Sequence, residues 1–397
     1  MHITEVITLQ DTLWALVIAW ILLVVLKRFG AIHSYLHPIT PTLLQGSLTI
    51  GLLGIRIIPV GHVLAFLMLY GILCFGAKQP HPPSRAEEAA WERAMPWIIG
   101  LSIVMNLYLV ATKGFLLLQD DVGAARQEFY QGWGLFQRFN SVFAVLLGAH
   151  WARSFIDENW LRPAKLALLV WTTYIFLTLG SKAGLLTLLT FIGAATYFAP
   201  VQISAKKLAI PIVLAVVSIA GMFYVFFGID AAVSFSVRFI SFADGPFYFF
   251  GFDRPLQVSI SYPLQQLMVA LRLLPSLPEA SLGPAINLEQ FGFDNELFGP
   301  NPQVFVESVA ILGSVMYPLY YLVVGAIVVF LLRSACSIYS LCLYTMIAGP
   351  MLVDSQLAFS NVFNLLIAIA LRIAFGSKLL SRINVIHKAA YRLPRVQ

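Results

Sequence analysis

The stretch VFVESVAILGSVMYPLYYLVVGAIVVFLL, Val304–Leu332, carries one charged residue, Glu307. A helix needs about 20 apolar residues to cross roughly 30 Å of hydrocarbon. This run is longer than that, so it tilts, starts in the interface, or breaks near Pro318. The rest of the chain has the same character. Of 397 residues, 59% are hydrophobic and 11% are charged, and the mean hydropathy is +0.83. A soluble domain carries about 25% charged residues. So few charges cannot cover so much apolar surface in water. The natural solvent is a bilayer, crossed by helices that satisfy their own backbone.

Working outward, apolar runs of suitable length lie near 12–26, 41–57, 60–77, 95–112, 136–153, 164–180, 183–200, 208–228, 304–332, 334–353 and 356–376. The expected fold is an all-α polytopic membrane protein, one integral domain over 1–397 with about 11 spans. No cleavable signal peptide is expected, because the first run follows Asp11 and ends at Lys27–Arg28. If the basic tail 377–397 is cytoplasmic, alternation places sixteen of the 25 Lys and Arg on the cytoplasmic side. The first residues hold no Lys or Arg. The positive-inside rule therefore predicts an outer amino terminus and an inner carboxyl terminus.

The exceptions to that rule are informative. Arg56 and Arg372 fall in spans, while Lys113, Arg126, Arg138, Lys182, Arg238, Arg254 and Arg272 fall on the outer face. Two outer segments exceed simple turns, 113–136 and 229–302. The second holds eight of the 21 prolines and two apolar pieces, Ala231–Ala243 and Tyr262–Leu274. Each piece is too short to span and carries one arginine. Both read as interfacial helices suited to a lipid-linked substrate, or as a structural cap.

Chemistry is sparse elsewhere. There is no Walker A motif, GxSxG, HExxH or CxxC. Cys74, Cys336 and Cys342 sit in or beside apolar runs without ligand spacing, and read as small apolar residues. The histidines are scattered, and His150 reads as a buried, hydrogen-bonded side chain. The net charge of +6 matches cytoplasmic lysine and arginine and implies no nucleic acid.

The outer cations stand beside carboxylates and aromatics. Arg126 is followed by Glu128, Tyr130 and Trp133; Asp253 precedes Arg254; Lys182 sits in LGSKAG between two spans. Each alone suits snorkelling or a structural ion pair. Together they favour an anion, and guanidinium forks match phosphate oxygens. Tyr130 and Trp133 suit sugar stacking or an aromatic belt equally. Glu307, near the start of the ninth run, suits either helix N-terminal electrostatics or a base at the membrane edge.

At KGFLLLQDDVGAARQEFYQGWG (Lys113–Gly134), GSKAG (Gly180–Gly184), the long arginine-bearing loop and GPNPQVFVESVAILG (Gly299–Gly313), the chain resembles the O-antigen polymerases of the oligosaccharide repeat unit type. The likeness covers about 110–335, and Lys182 stands where that family more often has arginine. The resemblance implies a glycosyltransferase of a Gram-negative inner membrane, without nucleotide sugar or a metal requirement. Two undecaprenyl-pyrophosphate-linked oligosaccharides would meet on its periplasmic face, with a further protein setting chain length. Arg126, Arg254, Arg272, Arg238, Lys182 and Tyr130 would bind substrate, with Glu307 as base and Asp253 as second choice. O-antigen ligases share the architecture but resemble one another in a histidine of the large loop, and 229–302 has none. A polysaccharide or lipid flippase would need charges through the middle of several spans.

Overall fold

The structure, a computed structural model, describes residues 7–54, 56–76, 84–116, 129–130, 133–156, 162–179, 184–198, 213, 217, 241–251, 256–277, 281–291 and 301–376. Among the described residues the chain is helical and no strand occurs. We number the helices α1 Leu9–Arg28, α2 Thr40–Leu53, α3 Val60–Gly76, α4 Arg85–Lys113, α5 Gly134–Ile156, α6 Pro163–Thr178 and α7 Gly184–Phe198. The remainder are α8 Asp244–Gly251, α9 Tyr262–Ala270, α10 Leu282–Phe291, α11 Gln303–Ser334, α12 Ile338–Ala348 and α13 Ser355–Gly376. The run near 208–228 and most of the piece 231–243 lie outside the described residues.

Local chemistry accounts for the helix ends. Thr8 and Asp11 form a capping box before α1, and Lys27 and Arg28 close it against the negative end of the helix dipole. Ser84 accepts from the Glu87 amide ahead of α4. Among the described residues four helices, α1, α4, α11 and α13, are long and apolar enough to cross a membrane. Large apolar side chains also point outward from them, among them Trp14, Trp20, Val104, Leu107, Val315 and Ile373. A helix that is apolar on both its packed and its free face is built for lipid.

Contacts group the helix ends as the charge alternation does. Arg153 of α5 pairs with Glu92 of α4 at 2.5 Å. The Arg93 guanidinium donates to the Gly376 carbonyl at 3.0 Å. The Ser84 amide donates to the Cys336 carbonyl at 2.7 Å. These bring the starts of α4 and α12 and the ends of α5 and α13 to one end of the bundle.

The long run breaks at Gly313, where φ is +73° inside α11, and not at Pro318. Glycine reaches that left-handed region without a Cβ clash, so the chain turns back there. Phe305 lies 6.3 Å from Tyr321, ring to ring. On a straight helix those residues would stand about 24 Å apart. The first part of α11 is therefore a short re-entrant limb folded against the second. Gln303 opens the limb with φ +54°, held by its amide bond to the Val353 carbonyl and its side-chain bond to the Phe242 carbonyl.

Two further helices stop short. The 11 residues of α12 rise about 16 Å before Gly349–Pro350 ends it. Helix α2 begins at Thr40 with a proline in its first turn. The two short ends meet: a Cβ added at Gly349 would lie 2.9 Å from Thr42 Oγ1.

Candidate functional site

Where α2 and α12 stop, the bundle is left unfilled. A cavity of about 660 Å³ lies there, walled by α2, α5, α6, α7, α12 and α13. Its apolar wall includes Val145, Phe176, Phe191, Met346 and Leu357. Its polar wall is neutral except for one guanidinium: Gln45, Gln137, Ser141, Thr187, Thr190, Thr345, Asn361 and Asn364, with Arg138. Among the described residues no carboxylate is in that wall.

Several of the neutral groups share a polarity, although Gln45 and Gln137 can also donate. Ser141, Thr190 and Thr345 donate their hydroxyl protons to carbonyls of their own helices, at 3.0, 2.7 and 2.9 Å. Their oxygen lone pairs remain. Asn361 donates to the Met346 carbonyl, and Asn364 donates to Asn361. Asn364 Oδ1 is buried with no partner among the described residues. The wall thus offers acceptors, which suits a ligand rich in hydroxyl donors.

Arg138 is half-buried, and its Nη1 donates to the Ser360 carbonyl of α13 at 3.1 Å. The ion pairs among the described residues are Arg56–Asp11, Arg153–Glu88 and Arg153–Glu92, so no carboxylate among them pairs with Arg138. Arg272 follows α9 in a left-handed turn, φ +62°. Its guanidinium approaches the first residue of α5, 3.9 Å from a Cβ built at Gly134, and it acts on Arg138 as a like charge. Two cations therefore converge at the start of α5.

The structure separates the other expected site residues. Tyr130 is 8% exposed, with its hydroxyl bonded to Thr178 and to Asn140, which donates at 2.7 Å. Burial pushes its phenol above the usual range, and its ring packs against Phe129. That leaves no face for a sugar. Trp133 is likewise engaged edge-on by Tyr108 and Phe136. Glu307 is 1% exposed and lies away from the cavity, between the two limbs of α11. Its Oε2 accepts from the Tyr320 hydroxyl and its Oε1 from the Ser355 amide, both at 2.7 Å. Arg126, Lys182, Arg238, Asp253 and Arg254 lie outside the described residues. His150 is hydrogen-bonded to Tyr339 and Lys165.

In sequence Arg138 is one more outer cation without a role, because no carboxylate stands near it and its aromatic neighbours Trp133, Phe136 and Phe139 read as part of an apolar run. A usable signal lay in α13, where Ser360, Asn361 and Asn364 mark one polar face of an apolar helix. No family model matches the chain, and no curated protein or solved structure matches it either.

Proposed function

We propose that the cavity binds the sugar–pyrophosphate junction of a lipid-linked oligosaccharide, and that the protein is a membrane-embedded glycosyltransferase that polymerises such repeat units. The observation that carries this reading is the pairing of an acceptor-lined wall with one unneutralised guanidinium, Arg138. Hydroxyls of a glycan donate to Asn364, Thr190 and Thr345, while the fork of Arg138 takes phosphate oxygens. Arg272 adds charge at the same mouth. The outer cations Arg126, Arg254, Arg238 and Lys182 belong to the same anionic substrate in this reading.

The reaction is a displacement at the anomeric carbon. The acceptor hydroxyl forms the new glycosidic bond, and the bond from that carbon to the pyrophosphate oxygen breaks. Preorganised cations lower the barrier by stabilising charge that develops on the leaving group. The acceptor proton goes to Asp253 or to the departing pyrophosphate. Glu307, with both oxygens engaged away from the cavity, is the weaker choice of base. The site faces the periplasm of a bacterial inner membrane, and an undecaprenyl chain lies between helices.

The test is complementation of a strain lacking its O-antigen polymerase, with lipopolysaccharide resolved on gels. Arg138→Ala, Arg126→Ala and Arg254→Ala should each leave core carrying a single repeat. Loss of all repeats would indicate a ligase or flippase. Normal ladders from all three would sink the site assignment. Asp253→Asn separates a protein base from substrate assistance.

A further inference from the structure

Among the described residues the Arg138 side chain is held by α13, through the Ser360 carbonyl. What fixes α13 decides where that guanidinium sits. The helix starts at Ser355, and its first amide donates to Glu307 Oε1 at 2.7 Å. Ser360 lies roughly a turn and a half further along the same helix. Glu307 itself is fixed, because Tyr320 on the opposite limb of α11 donates to its other oxygen. Ser355 Oγ donates to Gln266 of α9 at 2.9 Å, so the start of α13 is gripped from α9 and from both limbs of α11. An oxygen acceptor placed before a helix's first amide satisfies a donor that has no partner within the helix, and so fixes where the helix starts.

We propose that Glu307 is a positioning residue for Arg138: it clamps the start of α13 so that the Ser360 carbonyl receives the guanidinium at the cavity wall. This rests on the reading of Arg138 as the phosphate ligand. It gives a buried acid of the re-entrant limb a task at a site it does not touch. It also makes the hydrogen-bonding capacity of residue 307 matter, rather than its charge or basicity.

The experiment uses the full chain in detergent, farnesyl pyrophosphate as probe, and isothermal titration calorimetry. Wild type binds, and Arg138→Ala weakens binding by at least about tenfold, the worth of a charged hydrogen bond. Glu307→Gln keeps affinity within about twofold, because its amide oxygen still accepts from Ser355 and its NH₂ donates to Tyr320. Glu307→Leu weakens binding about as much as Arg138→Ala, and adds nothing in the double variant. Additive losses in the double variant, or wild-type affinity in Glu307→Leu, would overturn the proposal. Ser355→Pro deletes the clamped amide at a position where proline suits a helix start, with Ser355→Ala as the control for the Gln266 hydroxyl bond it also loses, and covers a misfolded Glu307→Leu. It should weaken binding similarly; wild-type affinity there also overturns the proposal. If Glu307→Gln binds normally but makes no polymer ladder, Glu307 is the base and the positioning role is wrong. Absent binding by wild type, or unchanged binding in Arg138→Ala, would instead overturn the phosphate-site reading beneath it.

Discussion

The Tyr320 hydroxyl donates to Glu307 Oε2 at 2.7 Å across 13 residues of one apolar run. On a straight helix the two would stand about 20 Å apart. The bond therefore exists only because the run folds back at Gly313. Tyr320→Phe keeps the ring and its packing but strands one buried carboxylate oxygen. It should cost about 1–3 kcal/mol, read as a lower unfolding temperature in detergent.

Gly313 provides the second prediction. A Cβ there would meet nothing within 4 Å, so the only penalty of Gly313→Ala is the left-handed φ of +73°. With ψ at 177° the residue sits in a region used almost solely by glycine, and the penalty is about 1–3 kcal/mol. Gly100→Ala in α4 also meets nothing within 4 Å but sits in ordinary helix. It should stabilise by roughly 0.5–1 kcal/mol. Opposite signs for the two substitutions in one thermal assay are the expected result.

At the cavity, Arg138→Lys keeps the charge and loses the fork. Transfer should fall by roughly one to two orders of magnitude, nearly as far as in Arg138→Ala, if two phosphate oxygens are gripped together. Full activity in the lysine variant would mean that charge alone suffices.

Between α4 and α5, Asn106 and Asn140 exchange reciprocal amide bonds at 2.8 and 3.0 Å, fully buried. Asn106→Leu alone leaves the buried Asn140 Oδ1 unpaired, while its NH₂ keeps the Tyr130 bond, and should cost about 1–3 kcal/mol. Asn106→Leu with Asn140→Leu should cost less than the sum of the singles. A thermal double-variant cycle checks this.

Asp244 opens α8 with Oδ1 buried and without a partner among the described residues, and burial pushes its carboxyl up to about 7. Its folded-state value exceeds the unfolded one, near 3.9. The folded chain therefore holds the extra proton between those values, and stability falls as pH rises through that window. Asp244→Asn should flatten the decline between pH 5 and pH 7. An unchanged slope would locate the pH dependence elsewhere.

Much of the architecture was legible because hydropathy and charge report directly on burial in lipid. The helix starts at Pro163, Gly184 and Ser355 fall within a residue or so of the expected spans. A break in the long run was one of three alternatives, placed near Pro318 and not at Gly313. Proline was the visible breaker, yet Pro318 sits inside the second limb while Gly313 carries the turn. A glycine's use of positive φ leaves no mark in hydropathy. The short α12 was read as 334–353 because Pro350–Leu352 continues the apolar run as a tighter 3₁₀ turn. The site was least legible. Tyr130 looked like a surface aromatic until Asn140 and Thr178, from other helices, closed over its hydroxyl. Arg138 looked like a stray interfacial cation until α13 supplied its carbonyl partner.

The two helices that stop short have an electrical consequence as well as a steric one. The cavity wall receives the amino-terminal turns of α2, α5, α7 and α13, against the carboxyl-terminal turns of only α6 and α12. Each amino-terminal turn presents about half a positive charge from its backbone amides. The surplus is built into the main chain, so no side-chain substitution erases it and added salt screens it poorly at depth. An anion drawn toward this hollow would still meet an attractive field after every arginine around it had been removed.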